Sequence, residues 1–172
     1  TISRGKTISE DEALYNKLLN DEKERSENIM IVDLVRNDLS KIATKNSVKV
    51  DELCKIYSFE TVHQMISTVR CAINPDVRFI DIVKATFPMG SMTGAPKIKA
   101  MELIEKYEST KRGVYSGAVG YVTPEDDFDF NVIIRTLLYN SEKKYLSCMV
   151  GGAITSKSNP EDEYNETLLK AN

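Results

Sequence analysis

Glycine is distributed unevenly along this chain of 172 residues. Gly5 lies near the start, and the other glycines all fall between residues 90 and 152. Glycine adopts backbone conformations that other residues avoid, and it weakens the interior of helices and strands. The distribution therefore predicts that the two halves of the chain differ in structure.

The first half shows the spacing of helices, followed by that of strands. Ser9-Glu-Asp-Glu12 has the composition of a capping box, which predicts a helix that begins near residue 10. Residues 47–73 are rich in Val, Ile, Tyr, Phe and Thr and lack glycine and proline, which favours two strands with a turn near residues 58–60. Apolar residues at helical spacing predict a long or kinked helical stretch to about residue 43; they are Leu14, Leu18, Ile29, Val32, Val35 and Leu39.

Prolines and turn residues divide the rest of the chain. Residues 79–87 are expected to form a short helix that ends at Pro88, and Pro96 suits the first turn of another helix. Asn159 and Pro160 supply a cap and a first-turn proline for a last helix over residues 160–171. Between them, an antiparallel meander of three strands is predicted at residues 115–123, 128–139 and 144–155. Together these elements predict one α+β unit.

Composition and charge exclude several classes of protein. The chain is 41% hydrophobic and long enough to bury a core, which excludes disorder as the default. Its net charge of -3 provides no basic field for nucleic acid phosphates. No apolar run reaches the roughly 18 residues of a membrane span, and the polar start lacks the pattern of a signal peptide. We therefore expect a soluble, cytoplasmic protein that binds neither nucleic acid nor membranes.

Two pairs of glutamates share helical faces. Glu24 and Glu27 are three residues apart on the first helical stretch, and Glu163 and Glu166 have the same spacing on the last helix. If the two faces met, the four carboxylates would repel one another unless a cation lay between them, and their oxygens suit Mg²⁺. The alternative is that all four are solvated surface glutamates.

Three further features suit an anionic ligand. Arg135 lies in the predicted strand 128–139, among mainly apolar residues, and would need a carboxylate partner in the protein or on a substrate. Gly151-Gly152 leaves room for backbone amides to approach a bound group, although a bulge explains the pair equally well. Gly90-Ser-Met-Thr-Gly-Ala-Pro-Lys97 leads small hydroxyl residues into a helix start, where amides favour anions. Lys97 does not directly follow the second glycine as in a P-loop, so nucleotide binding is not supported.

At this loop the sequence resembles the chorismate-utilising enzymes, in the branch that contains the large subunits of anthranilate synthase and aminodeoxychorismate synthase. The resemblance extends over nearly the whole chain, in the order of the family. Each matching segment is weak evidence alone, but the set is specific. The segments are Lys23-Glu-Arg-Ser-Glu-Asn28, Asp33-Leu-Val-Arg-Asn-Asp-Leu39, Gly90-Ser-Met-Thr-Gly-Ala-Pro-Lys97, Gly113-Val-Tyr-Ser-Gly-Ala-Val-Gly-Tyr121, Ile133-Ile-Arg-Thr136 and Glu163-Tyr-Asn-Glu-Thr167.

The resemblance implies a fold and a metal site. The fold would be part of a large α+β sandwich of antiparallel strands with helices on the outside, and residues 1–172 would be its C-terminal portion. Glu27 and Glu166 would ligate Mg²⁺, and Glu24 and Glu163 would lie in outer or water-mediated positions.

The resemblance also implies a set of substrate-binding residues. Lys170 would face the ring carboxylate of chorismate, which the metal would hold. Tyr115 and Arg135 would clamp the enolpyruvyl carboxylate. The remaining positions near the substrate would be Ser91, Thr93, Gly151 and Ala153.

Ser91 and Thr93 are similar to the residues of aminodeoxychorismate synthases, whereas anthranilate synthases more often carry Thr and Ser in those places. The implied reaction replaces the C4 hydroxyl of chorismate by an amino group, giving 4-amino-4-deoxychorismate for para-aminobenzoate and folate synthesis. Its ammonia would come from a glutamine amidotransferase subunit. Anthranilate synthase is the alternative enzyme, and an inactive fragment that retains the fold is the alternative outside enzymes.

The chain departs from the family pattern at three points. Thr1-Ile-Ser-Arg-Gly5 resembles the tail of the family's Pro-Ile-x-Gly-Thr segment, so we expect roughly the first half of the usual large subunit to be absent and the chain alone to be inactive. The family often has His where this chain has Gln64. His63, the candidate catalytic residue, lies one step earlier and would face the other side of a strand, where a structural role is the alternative. Ala153 replaces the usual glycine and narrows the room for the substrate.

Overall fold

The computed structural model describes residues 1–156 and 158–171, and the chain divides after Tyr107 into two compact units. Helices and antiparallel strands occur in both units, which confirms the predicted α+β class. Among the described residues, no helix has the length and apolar character needed to cross a membrane.

The first unit contains a three-stranded antiparallel sheet and four helices. The strands are β1 (Ile2–Ser3), β2 (Lys49–Ser58) and β3 (Val62–Arg70), in the order β1-β3-β2. The helices are α1 (Ile8–Leu19), α2 (Glu22–Ser40), α3 (Phe79–Thr86) and α4 (Lys97–Tyr107), and one turn of 3₁₀ helix at Gly90–Met92 precedes α4. The predicted turn between the two long strands and the helix that ends before Pro88 are confirmed.

The start of α1 differs from the prediction. Thr7 caps the helix instead of Ser9, because its Oγ1 accepts a hydrogen bond from the backbone N–H of Glu10 at 3.2 Å. Glu10 Oε2 in turn accepts from the backbone N–H of Lys6 at 2.8 Å. The spacing of a capping box is therefore satisfied two residues earlier than expected, and Ser9 lies inside the helix.

The predicted long helical stretch is two separate helices. α1 ends at Leu19, and Asp21 caps α2 by accepting from the backbone N–H of Glu24 at 3.0 Å. The amide of Asn20 donates to the carbonyl of Asn16 at 2.8 Å and occupies one of the last acceptors of α1. The apolar spacing thus continues across a break that the two polar residues create.

The core of the first unit lies between α1 and the sheet. Its buried members are Leu18, Cys54, Ile56 and Met65, with Ile2, Tyr15 and Leu19 packed against them. Cys54 lies where the register of β2 shifts against β3, and its φ of 52° is unusual for a residue with a side chain. Its backbone N–H donates to Ser67 Oγ at 2.8 Å, which satisfies the irregular strand.

The second unit consists of two hairpins and a helix. The strand β4 (Ala118–Val122) pairs with β5 (Phe128–Val132), β6 (Leu137–Asn140) pairs with β7 (Tyr145–Cys148), and α5 spans Pro160–Ala171. The predicted meander is wrong in its middle strand, which is interrupted where Arg135 has a φ of 50°, outside the extended region. The last predicted strand also ends early, at Cys148 instead of residue 155.

Candidate functional site

A buried ion pair fixes the loop between α3 and α4 to α2. Lys97 Nζ contacts Asp38 Oδ2 and donates to the carbonyl of Pro88 at 2.8 Å. The Lys97 side chain is 15% exposed and that of Asp38 is 5% exposed, so the pair is largely shielded from water. Lys41 Nζ donates to the second carboxylate oxygen of Asp38 at 2.9 Å. These bonds connect α2 with both ends of the loop.

Within the loop, Gly90 packs closely on α2. A Cβ at this position would lie 3.1 Å from Leu34 Cβ, tighter than ordinary side-chain contact. The hydroxyl of Thr93 donates to the carbonyl of Met89 at 3.2 Å, whereas Ser91 is exposed. The predicted substrate contact Ser91 is therefore presented outward, and the Thr93 hydroxyl is used within the turn.

An open groove of about 770 Å³ lies in the first unit, between α2 and the start of α4. Its walls include Ile29, Leu34, Pro96 and Ile98. None of the predicted site residues is among its lining residues, all of which lie in the fully described first unit. The groove is thus distinct from the predicted substrate contacts.

The glutamates of α2 lie near its first turns. Glu24 lies in the first turn of α2. The hydroxyl of Thr1 donates to Gln64 Oε1 on β3. Glu27 Oε1 is shielded from solvent, and Lys23 Nζ lies 4.0 Å from it.

His63 is buried in a hydrogen-bonded network. It is 2% exposed, its Nδ1 lies 2.8 Å from Ser58 Oγ, and its Nε2 lies 3.1 Å from Asp11 Oδ1. Arg4 donates to both oxygens of Asp11 at 2.7 Å, and the guanidinium, with the backbone N–H of Gly5, lowers the pKa of Asp11 well below its usual range. Because both ring nitrogens are engaged, the geometry favours the structural alternative for His63.

The second unit brings four predicted site residues together. Lys170 Nζ lies 2.6 Å from Glu166 Oε1 and donates to the carbonyl of Gly151 at 3.2 Å. The hydroxyl of Tyr115 lies 3.0 Å from the place where a Cβ on Gly151 would stand, so a larger residue there would require the phenol to move by a few tenths of an ångström. A cation, a phenol, a carboxylate and backbone groups therefore adjoin one another, and they come from α5 and from two segments distant from it in sequence.

Glu163 adjoins this cluster and is held by a residue that the sequence did not reveal. Glu163 is 5% exposed, and its Oε1 accepts from Ser158 Oγ at 2.7 Å. Its Oε2 would lie 3.2 Å from a Cβ on Gly152, which requires glycine or a local shift there. Ser158 Oγ also lies 3.4 Å from the carbonyl of Ala153, which is exposed. Ser158, one residue before the Asn-Pro cap of α5, gave no sequence signal of this role. Asp38 belongs to the matching segment Asp33–Leu39, but the sequence did not indicate its contact with Lys97.

Arg135 is exposed instead of buried in an apolar strand, which corrects the alternation argument made from sequence. Within the part of the chain that the structure describes, its side chain forms no ion pair. The backbone N–H of Ser116 donates to the carbonyl of Ile133 at 2.9 Å, and the backbone N–H of Ile133 donates to the carbonyl of Gly117 at 3.0 Å. These bonds place the segments of Tyr115 and Arg135 side by side. The guanidinium is available to an anionic ligand.

The carboxylates are chemically suited to Mg²⁺, which prefers hard oxygen ligands. Over residues 1–156 and 158–171, no group of three or more His, Cys, Asp or Glu side chains is placed to hold a metal ion. Glu24 and Glu27 belong to the first unit, and Glu163 and Glu166 to the second. The magnesium site stays a prediction.

Residues 1–172 match the sequence pattern of the chorismate binding enzyme family, and the chain belongs to this family. Among curated relatives, aminodeoxychorismate synthase component 1 of Bacillus subtilis is 41% identical over 171 residues. The rice protein named "Probable aminodeoxychorismate synthase, chloroplastic" is 50% identical over 172 residues, and anthranilate synthase component 1 of Acinetobacter calcoaceticus is 42% identical over 171 residues. Each match covers 99% of this chain but only 36%, 19% and 34% of these relatives, respectively.

Solved structures confirm the expected fold. Anthranilate synthase component I from Streptococcus pneumoniae matches with a TM-score of 0.80 and 37% identity, over 99% of this chain and 40% of that chain. The menaquinone-specific isochorismate synthase of Escherichia coli matches with a TM-score of 0.85 over 99% of this chain and 38% of its own, and at 20% identity it shows the fold alone.

Proposed function

We propose that the chain is part of an aminodeoxychorismate synthase, in which ammonia replaces the C4 hydroxyl of chorismate and water leaves. The observation that carries the proposal is the cluster of Lys170, Tyr115 and Gly151, next to the exposed Arg135. Chorismate carries two carboxylates, and an ammonium and a guanidinium on separate segments suit two anionic groups. The 50% identity to the rice relative, named as an aminodeoxychorismate synthase, supports the choice of reaction.

The described residues would bind and orient the substrate. Lys170 would bind the ring carboxylate, and Arg135 with the Tyr115 hydroxyl would bind the enolpyruvyl carboxylate. Gly151 would leave the backbone accessible, and the exposed Ser91 would contact the substrate from the loop. Fixing both carboxylates orients the ring carbon for attack, which is the main contribution of such positioning groups.

The proposal includes Mg²⁺ and an ammonia source. The expected ligands are Glu27 and Glu166, with Glu24 and Glu163 in outer positions, and the ion would supply Lewis acidity and a template for the ring carboxylate. A glutamine amidotransferase subunit would supply ammonia. The donor chemistry of the four glutamates supports the metal, and the component 1 name of the Bacillus subtilis relative supports a multi-subunit enzyme.

Anthranilate synthase is the second candidate function. The 42% identity to the Acinetobacter calcoaceticus relative favours it, as does the matching Streptococcus pneumoniae structure. The two candidates share a substrate and differ in product, so product analysis separates them.

The first measurement titrates chorismate into the purified chain by calorimetry, with and without MgCl₂. The second incubates the chain and chorismate with an ammonium salt and identifies any product by mass spectrometry. We expect saturable binding that Mg²⁺ strengthens, and any amino product should be 4-amino-4-deoxychorismate. Anthranilate, recognised by its fluorescence, would instead support the second candidate. A folded chain that shows no binding would favour the inactive fragment.

A further inference from the structure

We propose that Lys170 competes with a divalent cation for the carboxylate of Glu166. Lys170 would compensate the charge of Glu166 until a ligand carboxylate draws its ammonium away. This inference rests on the proposed function, because it concerns the expected metal ligand and the expected carboxylate contact of that site.

The contacts around Lys170 show what holds its ammonium. Nζ lies 2.6 Å from Glu166 Oε1 and 3.2 Å from the carbonyl oxygen of Gly151, so two oxygens of the second unit already surround the cation. The side chains of Lys170 and Glu166 are 27% and 47% exposed, respectively. The pair is thus at the edge of the site, where solvent and ions have access.

Glu163 is in a different situation from Glu166. It is buried, and its Oε1 accepts from Ser158 inside the unit. Of these two carboxylates, the exposed Glu166 is therefore the one that a metal ion reaches from solvent. Any ion that approaches Glu166 meets the ammonium of Lys170 at close range.

Lys170 and a metal ion cannot use Glu166 Oε1 in the same way at the same time. A direct metal bond would displace the ammonium from the 2.6 Å contact, and a dication next to an ammonium is repelled. The flexible four-carbon stem of lysine allows Nζ to leave while the backbone stays in place. A ligand carboxylate near Gly151 would give the released ammonium a new partner.

This arrangement predicts two effects of opposite sign at one residue. Removing the Lys170 ammonium should strengthen Mg²⁺ binding, because Glu166 is released. The same change should weaken chorismate binding, because a carboxylate contact is lost. In the unaltered chain, chorismate should also strengthen Mg²⁺ binding, and thermodynamic linkage requires the reverse effect to be equal. A residue that merely supports the fold would weaken both.

The experiment titrates MgCl₂ into the full chain, Lys170→Met and Lys143→Met by calorimetry at constant ionic strength, with and without chorismate. Lys143 is the matched control, since it lies in an exposed turn of the same unit and its loss changes the net charge equally. We expect Lys170→Met to bind Mg²⁺ about fivefold more tightly, as befits a partly exposed ion pair. Lys143→Met should bind within about twofold of the unaltered chain if the effect is local.

A second pair of variants separates the proposed contact from a general effect. In a Glu166→Gln background, Lys170→Met should no longer strengthen Mg²⁺ binding, because the carboxylate for which Lys170 and Mg²⁺ compete is absent. Circular dichroism checks folding, and Lys170→Gln replaces Lys170→Met if the latter does not fold.

Equal Mg²⁺ affinity in Lys170→Met and the unaltered chain would overturn the competition, as would weaker affinity or no Mg²⁺ binding in any variant. Chorismate binding distinguishes the two levels of inference. If the chain binds chorismate but Lys170→Met leaves Mg²⁺ affinity unchanged, the competition fails and the proposed substrate stands.

Discussion

Replacement of Lys97 by Met should destabilise the first unit through the carboxylate of Asp38. The substitution keeps most of the apolar stem and removes the ammonium that contacts Asp38 Oδ2 and the carbonyl of Pro88. Asp38 would then retain only Lys41 among its two cationic partners. The loop that carries Ser91 would lose its bond to α2.

The expected magnitude follows from burial. Removing one partner of a buried ion pair costs about 3 to 5 kcal/mol, since the other charge is left without compensation. Because Lys41 remains 2.9 Å from Asp38, we expect the lower end, about 3 kcal/mol, for Lys97→Met. Lys41→Met is the matched control, and since its side chain is 52% exposed, it should cost only about 0.5 kcal/mol.

The assay measures unfolding in urea, and the reactivity of the Cys54 thiol reports how much of the first unit is unfolded. Cys54 is 2% exposed in the core of the first unit, so its thiol should react only when that unit opens. Cys71 and Cys148 are replaced by Ser in every variant, which leaves one reporter. With an m-value of about 2 kcal/mol/M, Lys97→Met should lower the midpoint by about 1.5 M.

The reasoning is wrong if Lys41→Met lowers the midpoint as much as Lys97→Met does. It is also wrong if Lys97→Met shifts the midpoint by less than about 0.3 M, the size expected for an exposed pair. Hydrogen exchange supplies an independent check, because the amides of residues 90–95 should lose protection in Lys97→Met before those of the core residues do.

Three further predictions concern other parts of the chain. Because the pKa of Asp11 is lowered in the folded chain, the ionised carboxylate stabilises the fold above the ordinary pKa of about 4, and this stabilisation is lost as the pH falls toward the lower folded value. The urea unfolding midpoint of Asp11→Asn should therefore depend less on pH than that of the unaltered chain, between about pH 5 and pH 2. Equal pH dependence of the midpoint in Asp11→Asn and in the unaltered chain would contradict this. Gly90→Ala should lower the free energy of unfolding by about 1 to 3 kcal/mol, because the added methyl group would press on Leu34. Adding Leu34→Ala to Gly90→Ala should cost less than Leu34→Ala does alone, and strictly additive losses would argue against the contact. Arg135→Met should weaken chorismate binding about tenfold in calorimetry while leaving the melting temperature unchanged, with Arg36→Met as the control, and a lowered melting temperature would show a structural role.

Local signals were sufficient for much of the secondary structure. Pro88 ends the helix that begins at Phe79, and the segment without glycine or proline forms the hairpin of β2 and β3. Proline lacks an amide hydrogen and restricts its neighbour, while β-branched residues favour extended backbone. Such effects act over a few residues and can be predicted without the fold.

The errors arose where two local solutions compete. Thr7 and Ser9 are both suitable caps, each with a glutamate three residues later, and the bond from Lys6 to Glu10 accompanies the earlier one. The alternation of its neighbours predicts a strand at Arg135, but the positive φ of Arg135 interrupts that strand. Sequence spacing does not reveal a change of backbone region at one residue.

The sequence by itself determined which residue types are available, where most elements begin or end, and, through its motifs, the family. Only the tertiary structure decided which of these residues meet. Lys97 contacts Asp38 across 59 positions, His63 faces Asp11 across 52, and Lys170 reaches Gly151 across 19. Hydrogen bonds and ion pairs act over a few ångströms, so they depend on how distant segments pack and not on their separation along the chain.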